Sequence, residues 1–108
     1  MNDLEVDVDA LAAAADSAGG AVIIDVRQPE EYVAGHVAGA ELIPLGEVVA
    51  RLDEIPADQP VYVICQSGGR SLKAAKFLRA SGYDATSVAG GTQAWIDSGR
   101  PVVRGPRL

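Results

Sequence analysis

Short runs of aliphatic and β-branched residues punctuate this chain and set its apolar stripes apart from the polar stretches between them. Ala21-Val22-Ile23-Ile24-Asp25 and Val61-Tyr62-Val63-Ile64 are nearly continuous apolar runs. Such runs suit strands covered on both faces, as in a parallel sheet lying between helices. Ala85 to Val88 predicts a further short strand, and Glu41-Leu42-Ile43, ahead of Pro44, predicts another.

Between these runs the period changes. Leu72, Ala75 and Leu78 recur at helical spacing, Ala74 and Phe77 widen the apolar face, and Gly82 is a suitable stop. Pro29 occupies a first helical position with Glu30 and Glu31 behind it, and Gly35 ends that short helix. Asp9 or Asp7 can cap a helix through Leu11 and the four alanines that follow, which Ser17 to Gly20 terminate. Val48, Val49 and Leu52 form the apolar edge of a further predicted helix, with Pro56 and Pro60 bracketing the next turn. Gly90-Gly91 reads as a turn and Thr92 to Ser98 as a last helix, on which Trp95 is expected to be core.

Strands alternating with helices predict an α/β fold with mostly parallel pairing. With no internal repeat and no linker, residues 1–108 read as a single domain, of which 99–108 form a Pro- and Arg-rich tail extended over the surface. The 48% apolar and 22% charged composition is that of a soluble globular chain rather than a disordered one.

Charge narrows the function. A net charge of −6 argues against a nucleic-acid partner, which requires clustered Lys and Arg. It also means that any anion site must be locally positive. The acidic start Met1-Asn2-Asp3-Leu4-Glu5 lacks the features of a signal peptide, and no segment reaches the roughly 20 apolar residues of a membrane span. A cytoplasmic location is therefore expected. A single Cys and a single His offer neither an internal disulfide nor a ligand set for zinc, so no metal and no cofactor are expected.

The chemistry concentrates in Cys65-Gln66-Ser67-Gly68-Gly69-Arg70-Ser71. A thiol here ends a buried strand, two glycines let the backbone curl, and a helix begins near Arg70. Successive N–H groups and the positive end of the helix can then surround the sulfur as an anion cradle. This placement, at the carboxyl end of a strand, is where open α/β sheets gather ligands. Main-chain amides and a neighbouring Arg lower a thiol pKa, so Cys65 is expected to be a thiolate nucleophile. The same cradle would hold a persulfide anion. Of the remaining polar residues, Asp25 and Arg27 suggest an ion pair or loop anchor, His36 a structural group, and Lys73 and Lys76 a solvated face that could attract a donor or partner.

Taken together these segments resemble the rhodanese family. Asp25-Val26-Arg27 with Glu30-Glu31-Tyr32, then Gly35-His36-Val37-Ala38-Gly39-Ala40 and Ile43-Pro44, are similar to its first signature. Val88-Ala89-Gly90-Gly91, Trp95 and Gly99-Arg100-Pro101-Val102 are similar to its closing segment. The resemblance implies a three-layer α/β fold, with a central, mostly parallel five-stranded sheet flanked by helices and the active loop after its most buried strand. It also implies that Cys65 accepts the outer sulfur of thiosulfate or a persulfide and passes it on. Gln66, Ser67, Gly68, Gly69, Arg70 and Ser71 would offer amides to that sulfur, and Arg70 would close the loop and orient an anionic donor. Related phosphatases resemble Cys, five residues, Arg, whereas four residues separate Cys65 from Arg70, a loop fitted to sulfur.

Two classes of function follow. In the first, the chain is a sulfurtransferase that must release sulfur to an external thiol, cyanide or protein acceptor, because it has no second cysteine. In the second it is a non-catalytic or sulfur-relay module that docks with a partner protein. The presence of both Cys65 and Arg70 favours the first.

Overall fold

A computed structural model describes residues 4–107; Met1-Asn2-Asp3 of the acidic N-terminal run and Leu108 of the tail lie outside the described residues. The elements follow in the order β1 (Glu5–Val6), α1 (Val8–Ala15), β2 (Val22–Asp25), α2 (Pro29–Ala34), β3 (Glu41–Leu42), β4 (Val61–Ile64), α3 (Gly69–Ala80), β5 (Ala85–Val88) and α4 (Gly91–Asp97). The five strands form one sheet in the order β1-β5-β4-β2-β3. Every neighbouring pair is parallel, which sharpens the expectation of mostly parallel pairing.

Alternation along the central strands builds two cores. On β4, Val61, Val63 and the following Cys65 face α3, where they meet Ala74, Ala75 and Leu78. Ile64 and Tyr62 face the opposite side, with Leu11 of α1 and Trp95 of α4. Val61, Val63 and Ile64 are at most 1% exposed, and each such side chain contributes about 1.5–3 kcal/mol of burial free energy. The strand that carries the cysteine is thus fixed from both faces.

Local signals set the helix starts. The Asp7 carboxylate accepts the Ala10 N–H at 2.9 Å, so Asp7 rather than Asp9 caps α1. Pro29 opens α2, while Glu31 reaches back to accept the Gln28 N–H at 2.9 Å.

Three features differ from the sequence expectations. The two-residue edge strand β1 was not foreseen; it is held by β5, with Glu5 opposite Ser87 and Val6 opposite Val88. The helix expected around Val48–Leu52 is instead a pair of 3-10 turns, Leu45–Glu47 and Leu52–Glu54. Only Val48 of its Val48-Val49 pair turns inward, Val49 being 65% exposed, so the segment lacks the broad apolar face that a longer helix needs. The tail does run over the surface, yet it is stitched down: His36 and Val103 exchange backbone hydrogen bonds of 2.9 and 2.8 Å, and Trp95 Nε1 donates to the Pro101 carbonyl.

Candidate active site

β4 delivers Cys65 to the carboxyl edge of the sheet, and the chain turns at once into α3. Gly68 makes the turn in the left-handed region, at φ 112°, as the residue that precedes the helix. A Cβ there would also sit 3.3 Å from the Gly90 nitrogen, so a side chain is disfavoured by conformation and by space. The turn brings the Gly68 N–H to the Cys65 sulfur at 3.1 Å.

The sulfur also meets Ser71, on the first turn of α3, with Sγ and Oγ 3.4 Å apart. Ser71 is fully buried and its hydroxyl lies 2.8 Å from that of Ser87 on β5. Three elements therefore meet in one polar spot inside the α3-side core. Burial pushes the Cys65 thiol pKa up. The Ser71 hydroxyl and the backbone N–H groups of Ser71, Gly68 and Ser67 more than offset this, and the net shift is downward.

Cys65 is only 1% exposed, so its sulfur is recessed beneath the loop rather than standing at an open mouth. The seven-residue segment wraps the atom closely. Hydrocarbon borders it on the α3 side and amides face it from the loop.

The β5–α4 turn, which sequence reasoning left out of the site, supplies the loop's other support. Thr92 donates its N–H and its hydroxyl to the Cys65 carbonyl at 2.8 and 3.0 Å, and the Gln93 N–H reaches the Gln66 carbonyl at 3.0 Å. These bonds hold the first two loop carbonyls on the α4 side. Gly91, at φ 59°, permits the approach: a Cβ there would lie 2.5 Å from the Cys65 oxygen and 2.7 Å from Gln66 backbone atoms. The only signal in the sequence was the glycine pair itself.

Arg27 anchors the loop from β2. It is 2% exposed, engages both oxygens of fully buried Asp25, and donates to the Gly35 carbonyl at 2.9 Å. Its remaining arm donates to Gln66 Oε1 at 3.1 Å, while Gln66 Nε2 donates to Gln93 Oε1 at 3.2 Å. The Gln66 side chain is thus committed to the scaffold. Asp25 and Arg27 form the expected ion pair and also anchor the loop.

Arg70 pairs with a carboxylate that the sequence reading did not connect to it. Its two Nη groups donate to the two carboxylate oxygens of Glu31 on α2, at 2.8 and 2.9 Å. Hydrogen bonding to Glu31 raises the guanidinium pKa, with a smaller contribution from the Cys65 thiolate. The Arg70 hydrogen bond holds the Glu31 carboxyl down at about 2. Of the other predicted loop residues, Ser67 and Gly69 are exposed at its outer surface.

Beside the loop lies an open cleft of about 560 Å³, whose lining includes Arg27, Glu31, Gln66, Thr92, Arg100 and Arg104. Arg100 pairs with Asp9 at 3.0 Å and its guanidinium carbon lies 5.3 Å from the Trp95 ring centroid. His36 is fully buried against Tyr32, its Nδ1 2.8 Å from the Tyr32 carbonyl and its Nε2 2.7 Å from that of Arg107, a structural placement. Lys73 and Lys76 lie exposed on α3. Among the described residues no helix is long and apolar enough to cross a membrane.

These features define an α/β domain with a parallel sheet and a cysteine held by loop amides between a central strand and the next helix. The chain belongs to the rhodanese-like domain family, whose profile matches residues 7–98. It is 32% identical to a protein of Allochromatium vinosum named sulfurtransferase, over 92% of this chain and 94% of that one. It is 43% identical to YqhL of Bacillus subtilis strain 168 over 69% of this chain, and spans 60% of that relative's length. The crystal structure of a rhodanese-related protein from Thermoplasma volcanium superposes with a TM-score of 0.85 at 32% identity, covering 92% of this chain and 96% of that one.

Proposed function

We propose that the chain is a sulfurtransferase in which Cys65 carries a sulfane sulfur, as a persulfide, from thiosulfate or a persulfide donor to a thiol, cyanide or protein acceptor. The observation that carries this reading is the Cys65 sulfur receiving the Gly68 N–H at 3.1 Å, in a loop whose amides and Ser71 hydroxyl favour its anion. A buried thiol kept only for packing would gain nothing from these donors. The name sulfurtransferase, carried by a relative of matching length, supports the same class of reaction.

The chemistry balances in two steps. The Cys65 thiolate attacks the outer sulfur of thiosulfate; the donor's S–S bond breaks, a Cys65 S–S bond forms, and sulfite leaves with the bonding pair. A persulfide donor reacts in the same way and releases its thiolate. An acceptor nucleophile then attacks the outer sulfur of the Cys65 persulfide, and Cys65 leaves as the thiolate. The Ser67, Gly68 and Ser71 amides hold the anion at each stage, with Gln66, Gly69 and Arg70 completing the loop. No redox cofactor is called for, because a sulfur(0) atom passes from one nucleophile (sulfite or a thiolate) to another (a thiolate or cyanide).

Intact-mass measurement after incubation with thiosulfate and, separately, glutathione persulfide tests the reading. The expected result is a gain of one sulfur, located on Cys65 by peptide mapping and absent from Cys65→Ser. No gain from either donor overturns it as an enzyme acting on free donors. The 1% exposure of Cys65 favours, as a second reading, a relay module whose sulfur arrives only from a docked partner. Loading of Cys65 by a persulfidated protein alone would establish that reading over the first.

A further inference from the structure

The donor site holds an internal anion of its own. Thiosulfate is a compact dianion, and to reach Cys65 it must approach another negative charge, the thiolate. Such a donor needs a cation with free N–H groups. Arg70 is the only charged side chain in the Cys65–Ser71 loop, and both of its Nη groups already bind Glu31. Of the other arginines lining the neighbouring cleft, Arg27 is bound to Asp25 and Arg100 to Asp9, and none belongs to the Cys65–Ser71 loop. Arg104, also in the cleft, directs Nε toward the Ala34 carbonyl. Glu31 itself lines the cleft beside the loop, so a donor occupying that space meets its carboxylate.

We propose that Glu31 sets donor specificity: by occupying both Nη groups of Arg70 it turns the site against compact dianions such as thiosulfate and toward persulfides of small thiols. This rests on the sulfurtransferase reading above and names the donor class for that site. A small-thiol persulfide carries one negative charge at its reacting end, or none when protonated, and has no sulfonate to be held. In its protonated form the balance is simple: the Cys65 thiolate attacks the terminal SH sulfur, the donor S–S bond breaks, and the small thiolate leaves while Cys65 retains S–SH. Glu31 acts through Arg70 and touches neither reacting sulfur, so it is a positioning residue.

Glu31→Gln is the informative variant because a carboxamide oxygen can still accept the Gln28 N–H that Glu31 accepts at 2.9 Å. Steady-state rates with thiosulfate and with glutathione persulfide are compared in the native chain, in Glu31→Gln, in Arg70→Gln and in the double variant. The native chain is expected to favour the persulfide in kcat/KM by about tenfold or more. In Glu31→Gln the ratio of thiosulfate to persulfide kcat/KM rises by about tenfold, carried by a lower KM for thiosulfate. In the Arg70→Gln background the exchange at Glu31 no longer moves that ratio. A native preference for thiosulfate overturns the proposal, and this needs no variant to fold. An unchanged ratio in Glu31→Gln, with Cys65 still loaded, overturns the role of Glu31 alone. A native chain that gains no sulfur from either donor overturns the sulfurtransferase reading and this inference with it.

Discussion

Two arginines anchor the Cys65 loop, and burial separates their roles. The side chains of Arg27 and Asp25 are 3% and 0% exposed, and Arg27 spends its other donors on Gly35 and Gln66. The side chains of Arg70 and Glu31 are 37% and 31% exposed and bind each other through a two-pronged contact on the protein surface. Away from water, an ion pair that loses one member leaves a charge with nowhere to go, whereas near water the survivor is solvated. The first pair is therefore scaffold. The second is a local contact whose loss the fold tolerates, so the hold of Glu31 on Arg70 can be removed without dismantling the site.

The largest expected effect comes from breaking the buried pair. Asp25→Ala leaves Arg27 charged and enclosed, and should cost about 3–5 kcal/mol in urea denaturation. A loss below about 1 kcal/mol would erase the distinction between the two pairs.

Next comes the glycine that lets the α4 turn clasp the loop. Gly91→Ala places a Cβ at 2.5 Å from the Cys65 oxygen while holding a left-handed conformation. A cost of about 1–3 kcal/mol is expected from that strain. The accompanying movement of the loop should raise the Cys65 pKa, read from thiolate ultraviolet absorbance. In the native chain the same titration should fall below the free-thiol value of about 8.5. An unmoved thiol in Gly91→Ala would show that the clasp does not aim the amides.

The smallest effect sharpens the exposed pair. Glu31 has a folded-state pKa of about 2 against an ordinary 4.5, so its contribution is fully present above pH 4.5 and is lost as pH falls toward 2. Glu31→Gln should therefore cost about 0.2–1 kcal/mol at neutral pH, with the difference from the native chain vanishing by the bottom of that window. A difference that persists under strong acid would point to packing rather than charge.

Local chemistry was readable in the chain, and distant pairing was not. The apolar runs of β2 and β4 follow from burial on both faces, and Pro29 marks the start of α2 because its own ring sets the backbone. The cysteine loop, too, declares itself in consecutive residues. Its partners lie elsewhere: Glu31 is 39 residues from Arg70, and Thr92 is 27 from Cys65. No periodicity encodes such distances. β1 escaped for a related reason, since two residues contain no alternation and are extended only because β5 lies beside them. At Val48 and Val49 the apolar pair imitated a helical edge, although only one member had a core to face.

The sheet ends in β1 on one rim and β3 on the other, each two residues long among the described residues. Along the described residues of either rim, a stray polypeptide seeking to add itself as a sixth ribbon finds only a couple of unpaired amide positions. Brevity at the margins thus guards against runaway stacking, and leaves the four-residue inner strands β2 and β4 free to be as greasy as the reactive centre needs.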